Sequence, residues 1–147
     1  MRAEVRELVE NLSEVFKSIH HRSYHTMENK NIYPGQAKVL SLIKAHEGIT
    51  QKDLSKMTFV TPASITGMLT KLEANHYLYR VPDQEDKRIM RVYLTPEGHK
   101  LAEKGEFFMM NMIDQAFEGF NNEELHTFLT LTQKLRNNLC SKEKHNS

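Results

Sequence analysis

Apolar residues recur at Val5, Leu8, Leu12, Val15 and Ile19, a 3-4-3-4 spacing widened by Val9 and Phe16, and this predicts a long amphipathic helix. Pro34 fits the first position of a second helix, because its missing N–H falls where no helical bond is made. Val39, Leu40, Leu42 and Ile43 then follow before Gly48 stops it. After a short extended piece at Ile49-Thr50, Thr50 caps a third helix with Asp53 three residues on, carrying Leu54 and Met57 and ending near Thr58-Phe59. Thr61-Pro62 repeats the cap-plus-proline device and opens a fourth helix with an inward stripe of Ile65, Met68, Leu69 and Leu72. Residues 77–81 and 89–94 are rich in β-formers and flank the charged PDQEDKR, which predicts a hairpin. Thr95-Pro96-Glu97 starts a fifth helix that breaks at Gly119. Asn121 or Asn122 caps a sixth, with a stripe at Leu125, Phe128, Leu129, Thr132, Leu135 and Leu139, leaving SKEKHNS as a frayed tail.

The outward face of the fourth helix narrows the function. Thr61, Pro62, Ala63, Ser64, Thr66, Gly67, Thr70 and Lys71 are nearly all small or hydroxylated, so no large side chain holds another molecule at a distance. Gly67 inside the helix costs on the order of 1 kcal/mol relative to alanine, so local stability did not place it there. Two helices joined by a short turn and followed by a hairpin form the layout of a winged helix-turn-helix, whose second helix enters the DNA major groove.

Composition adjusts this reading only slightly. In 147 residues, 39% are hydrophobic and 27% charged, the balance of a soluble domain. No apolar run approaches the roughly 18 residues of a membrane span, and the charged start is unlike a secretion signal, so a cytoplasmic location is expected. The single cysteine, Cys140, forms neither an internal disulfide nor a cysteine-based zinc site. Residues 1–49 carry seven Lys and Arg against six Asp and Glu, residues 50–96 seven against five, and residues 97–147 six against eight. The middle is mildly basic, too mildly to identify a nucleic-acid partner by charge alone. No phosphate loop, nucleophile elbow, paired carboxylates or HExxH motif is present, so no catalysis is expected and no cofactor is called for.

The stretches ITQKDLSKMTFVTPASITGMLTKLE and YLYRVPDQEDKRIMRVYLTPEG resemble the MarR family of bacterial winged helix-turn-helix regulators, and the resemblance runs over nearly the whole chain. The second stretch is the more specific: Arg80, an Asp-x-x-Asp-x-Arg tip at Asp83, Asp86 and Arg88, and a Leu-Thr-x-x-Gly exit at Leu94, Thr95 and Gly98. Where the family commonly has glycine after the fourth helix, this chain has Asn75-His76, residue types that tolerate the left-handed conformation.

The resemblance implies a mostly α fold, an α+β winged helix-turn-helix over residues 34–96, with residues 1–33 and 97–147 forming a helical dimerisation region. It implies a homodimer on a palindromic operator in double-stranded DNA, acting as a repressor. Leu8, Leu12, Val15, Ile19, Phe117, Phe128, Leu135 and Leu139 are the expected dimer contacts, since these helices carry more apolar surface than one small core covers. The wing residues Asp86, Lys87 and Arg88 join the fourth-helix face as the DNA contacts, with Arg88 in the minor groove and Asp86 orienting it. Release by a small aromatic or amphipathic effector is implied, with Phe16, His20, Tyr24, Tyr33, Phe107, Phe108, Met110 and Met112 as candidate walls. Two alternatives stay open: a winged-helix dimeric interaction module, and a metal-responsive regulator using the first-helix histidines His20, His21 and His25, with Glu28 nearby. Oxidation sensing at Cys140 has little in its favour.

Overall fold

The computed structural model describes residues 2–28, 33–58 and 60–143, with the side chains of residues 24, 26–28 and 141–143 outside that description. The chain divides into two compact units, residues 1–112 and 113–147. The first unit holds α1 (Ala3–Glu28), α2 (Pro34–Ala45), β1 (Ile49–Thr50), α3 (Gln51–Met57), α4 (Pro62–Ala74), β2 (Leu78–Pro82), β3 (Met90–Leu94) and most of α5 (Pro96–Ala116). The second holds the end of α5 and α6 (Asn122–Glu143). Among the described residues no helix is long and apolar enough to cross a membrane.

The predicted caps form. Thr50 Oγ1 accepts the backbone N–H of Asp53 at 3.1 Å, Thr61 Oγ1 that of Ser64 at 3.3 Å, and Thr95 Oγ1 that of Gly98 at 3.0 Å. Each satisfies a donor that the first helical turn leaves unpaired. Asn121 and Glu124 close a reciprocal box at the start of α6, both bonds 2.9 Å. His76 takes the left-handed conformation, φ 60°, that ends α4 without glycine. The C-terminal end differs from expectation: α6 continues through Glu143, because Ser141-Lys142-Glu143 contains no glycine or proline to stop it. The last four residues of the expected frayed tail, and Phe59 at the expected end of α3, lie outside the described residues.

The core of the first unit is a three-helix arrangement closed by the sheet. Val39, Leu40 and Ile43 of α2, Leu54 of α3, Ile65, Leu69 and Leu72 of α4, and Leu78 and Val92 of the sheet are essentially inaccessible to solvent. Burial of each such side chain stabilises the fold by about 1.5–3 kcal/mol. The sheet is antiparallel in the order β1-β3-β2, with Ile49 opposite Val92 and Tyr79 opposite Tyr93. Because side chains alternate along a strand, Leu78, Val92 and Leu94 face the core. Tyr79 and Tyr93 stack on the other face with ring centroids 5.5 Å apart.

Candidate nucleic-acid interface

α3, the start of α4 and the tip end of the β2–β3 hairpin border one surface groove. Buried Ile65, Leu69 and Leu72 fix the rotation of α4, so Thr61, Pro62, Ala63, Ser64, Thr66, Gly67, Thr70 and Lys71 all face solvent, as their spacing predicts. A Cβ added at Gly67 would meet nothing within 4 Å, so the fold does not require glycine there. The hydroxyls are tied down locally. Thr66 donates to the carbonyl of Pro62 and Thr70 to that of Thr66, both at 2.9 Å, and Gln51 Nε2 donates to Thr66 Oγ1 at 2.6 Å. In these rotamers Thr66 and Thr70 offer lone pairs outward, and a bond to a phosphate requires the hydroxyl to turn.

The hairpin tip is built on Asp83, whose role the sequence reading did not identify. One oxygen of Asp83 accepts the backbone N–H groups of Glu85 and Asp86 at 3.0 and 3.2 Å, and the other accepts from the Arg91 guanidinium. Arg91 also donates to the Gly48 carbonyl at 2.9 Å, which ties the tip to the start of β1. The Arg91 hydrogen bond first, and the two backbone donors after it, hold the Asp83 carboxyl down at about 2. Asp86 grips Arg88 as expected: its carboxylate accepts from the Arg88 backbone N–H at 3.1 Å, Nε at 3.0 Å and Nη2 at 3.1 Å. That guanidinium holds the Asp86 carboxyl below the usual range. Arg88 remains 89% exposed, and Lys87 beside it is exposed too.

Between α3, the start of α4 and the tip end of the hairpin lies an open groove of about 640 Å³ walled by Lys52, Ser55, Lys56, Pro62, Arg88 and Met90. Lys52 and Lys56 were not among the expected contacts, although their four-residue spacing on one face of α3 is the signal that marks them. The Glu73 carboxylate accepts from Arg80 through Nε at 3.0 Å, through Nη2, and through the backbone N–H at 3.2 Å, and this joins the end of α4 to β2. Arg80 lowers the Glu73 carboxyl, chiefly through the side-chain hydrogen bond.

The expected dimer residues sit on exposed apolar faces. Leu8 and Val15 of α1 are more than half exposed, with Leu12 and Ile19 half-buried. In the second unit Phe128, Leu135 and Leu139 are exposed, and Phe117 packs edge-to-face on Phe120 and Phe128 at 5.4 and 6.0 Å.

The expected effector walls that are described fall at several places on α1 and α5. Phe16 and His20 border a shallow groove along α1, and Met112 accepts a hydrogen bond at its sulfur from Ser23 at 3.2 Å. Phe107 is 64% exposed with its ring edge on Phe108, and Tyr33 is exposed. The side chain of Tyr24 lies outside the described residues. Of the expected walls whose side chains are described, Met110 borders the cavity of about 530 Å³ between α2 and α5, with Ala37, Ser41, Glu106 and Met109 among its other walls. Helical spacing accounts for the scatter, because successive residues of α5 point to different sides. Glu106 in that cavity accepts from Ser41 at 2.9 Å and from Lys44 at 2.8 Å.

Comparison with known proteins agrees with this architecture. A MarR family profile matches residues 32–90. The uncharacterized HTH-type transcriptional regulator YwhA of Bacillus subtilis is 31% identical over 97 residues, covering 66% of this chain and 70% of that one. The HTH-type transcriptional repressor YetL of the same organism is 29% identical over 128 residues, covering 85% and 76%. The crystal structure of Streptococcus pneumoniae FabT in complex with DNA superposes with a TM-score of 0.82 at 21% identity, covering 93% of this chain and 98% of that one, which establishes the fold. These relatives are transcriptional regulators, not enzymes. The chain therefore belongs to the MarR family of transcriptional regulators.

Proposed function

We propose that the protein is a repressor that binds a palindromic operator in double-stranded DNA as a homodimer and lets go when a small aromatic or amphipathic molecule binds. The observation that carries this reading is the exposed face of α4, Thr61 to Lys71, with Lys52, Lys56 and Arg88 gathered around one groove at its N-terminal end. In it α4 lies in the major groove. Pro62, Ala63, Thr66, Gly67 and Lys71 approach base edges, and Thr61, Ser64, Thr66 and Thr70 approach phosphates once their hydroxyls turn. Lys52 and Lys56 neutralise phosphates alongside, and Arg88, already held by Asp86, enters the minor groove. YetL is named a repressor, and FabT is described in complex with DNA.

In the same reading residues 34–96 contact DNA, while residues 1–33 and 97–147 pair two copies. The exposed apolar faces of α1 and α6 support that pairing, since contiguous patches of this kind are rare on monomers. The cavity between α2 and α5 is the place for the effector. Its methionines adapt to varied shapes, and Ser41 and Glu106 supply polar contacts. The protein acts in the cytoplasm, where bacterial DNA is.

Selection of bound duplexes from a random pool, run with wild type and Arg88→Ala at one salt concentration, tests this. The expected result is an enriched palindrome with half-sites about one helical turn apart. Arg88→Ala should weaken binding and flatten the slope of log affinity against log salt by about one unit. Absence of any salt-dependent duplex binding overturns the reading.

A further inference from the structure

Near the C-terminal end of α1, on a stretch that duplex binding does not use, His21 and His25 stand one helical turn apart with their Nε2 atoms 3.1 Å from each other. Their ring centroids are 4.4 Å apart at an interplanar angle of 62°, and both side chains are exposed. In a hydrogen bond at that distance one ring donates its Nε2–H to the other, and when that proton sits on the donor ring's Nδ1 instead, both Nε2 lone pairs are available to a cation. Metal–imidazole bonds are about 2.0–2.1 Å, and two of them drawn to nitrogens 3.1 Å apart enclose an angle of about 98° at the ion, between square-planar and tetrahedral values. The pair thus stands at chelating distance.

We propose that His21 and His25 form a two-imidazole chelate for a borderline divalent transition ion of the zinc, nickel and copper class. Imidazole selects these ions over magnesium and calcium, which prefer oxygen. Among the described residues no group of three histidine, cysteine or carboxylate side chains is arranged to hold a metal, so the chelate rests on these two imidazoles alone. Lys17, which borders the same shallow groove as His21, is a nearby cation that opposes the ion and limits its affinity.

The test uses the full chain without a histidine tag, titrated calorimetrically with Zn²⁺ alone. Cu²⁺ electron paramagnetic resonance then counts the coordinated nitrogens. One equivalent of ion per chain and a two-nitrogen signature are expected. His21→Ala and His25→Ala should each lose affinity by at least about ten-fold, because even outer partners of a ligand are worth ten-fold or more. Alanine at an exposed helical position keeps the helix, and an unchanged circular dichroism spectrum checks this. His20→Ala should bind as wild type does. No saturable site in the wild type overturns the proposal, as do two single variants that bind undiminished or an equal loss in His20→Ala. No DNA is involved, so failure here leaves the operator reading standing.

Discussion

Gly98 and Gly67 both sit inside helices, and replacing each with alanine should move stability in opposite directions. A Cβ at Gly98 would lie 1.8 Å from the carbonyl oxygen of Tyr77 and 2.9 Å from its carbonyl carbon. That carbonyl is held in place: it accepts the Thr95 N–H at 3.1 Å, and the Tyr77 N–H donates to Leu72 at 3.0 Å. Thr95 Oγ1 adds a 2.7 Å bond to the carbonyl of His76. Restoring an ordinary carbon–oxygen contact near 3.3 Å requires α5 and the start of β2 to part by about 1.5 Å. Overpacking of this kind costs about 1–3 kcal/mol, and the two Thr95 hydrogen bonds that must stretch are worth about 1 kcal/mol each. Gly98→Ala should therefore lose about 3–5 kcal/mol, a large part of the roughly 5–15 kcal/mol that holds a domain together. Gly67→Ala meets nothing within 4 Å and should gain about 0.5–1 kcal/mol from helix propensity. Urea unfolding followed by circular dichroism, at matched protein concentration, measures both. A Gly98→Ala midpoint indistinguishable from wild type would show that the α5–β2 junction is loose and refute the argument.

Three further outcomes follow from the geometry. Asp83, lowered from an ordinary 3.8 to about 2, contributes stability that is fully present above about pH 4 and is lost as pH falls through about 2. The gap in urea midpoint between wild type and Asp83→Asn should thus be constant near neutrality and shrink on acidification from pH 5 to 2.5. A gap that does not change would remove the carboxylate from the account. Leu135→Asp, at a site 51% exposed in the single chain, should leave the fold intact and abolish pairing, since a charge buried at an interface is costly. Sedimentation equilibrium that still finds a dimer would place the interface elsewhere. Lys52→Ala with Lys56→Ala should weaken duplex binding across all sequences alike, and an altered sequence preference in the selected pool would mean that these lysines touch bases.

The helices and the hairpin were legible because their signals are local. Thr50, Thr61 and Thr95 each cap the helix they begin, and Ile65, Leu69 and Leu72 are buried at the spacing that predicts it. The outward face of α4 followed from the same periodicity by subtraction. What stayed hidden depends on residues distant in sequence. Arg91 reaches Gly48 across 43 positions, and Glu106 reaches Ser41 across 65, and no periodicity encodes either contact. The effector walls are harder to read for a related reason. Aromatic and methionine residues on α1 and α5 identify apolar faces, but which face meets a cavity depends on how each helix is rotated against its neighbour, and among those whose side chains are described Met110 borders the one between α2 and α5. Lys52 and Lys56 matter through their place beside the hairpin tip, which their own helix does not reveal.

Glu106 has two tasks, since it walls the cavity between α2 and α5 and also holds Ser41 and Lys44 of α2. A molecule that enters the cavity and displaces those bonds alters how α2 is held on α5, and thermodynamic reciprocity then constrains the outcome. If such an occupant lowers operator affinity by a given factor, the operator lowers the occupant's affinity by the same factor. An operator-bound protein is then the poorest receptor for its own signal, and the molecules that answer first are those momentarily off the DNA. The concentration at which the circuit responds is set jointly by the ligand and by the number of operator copies in the cell.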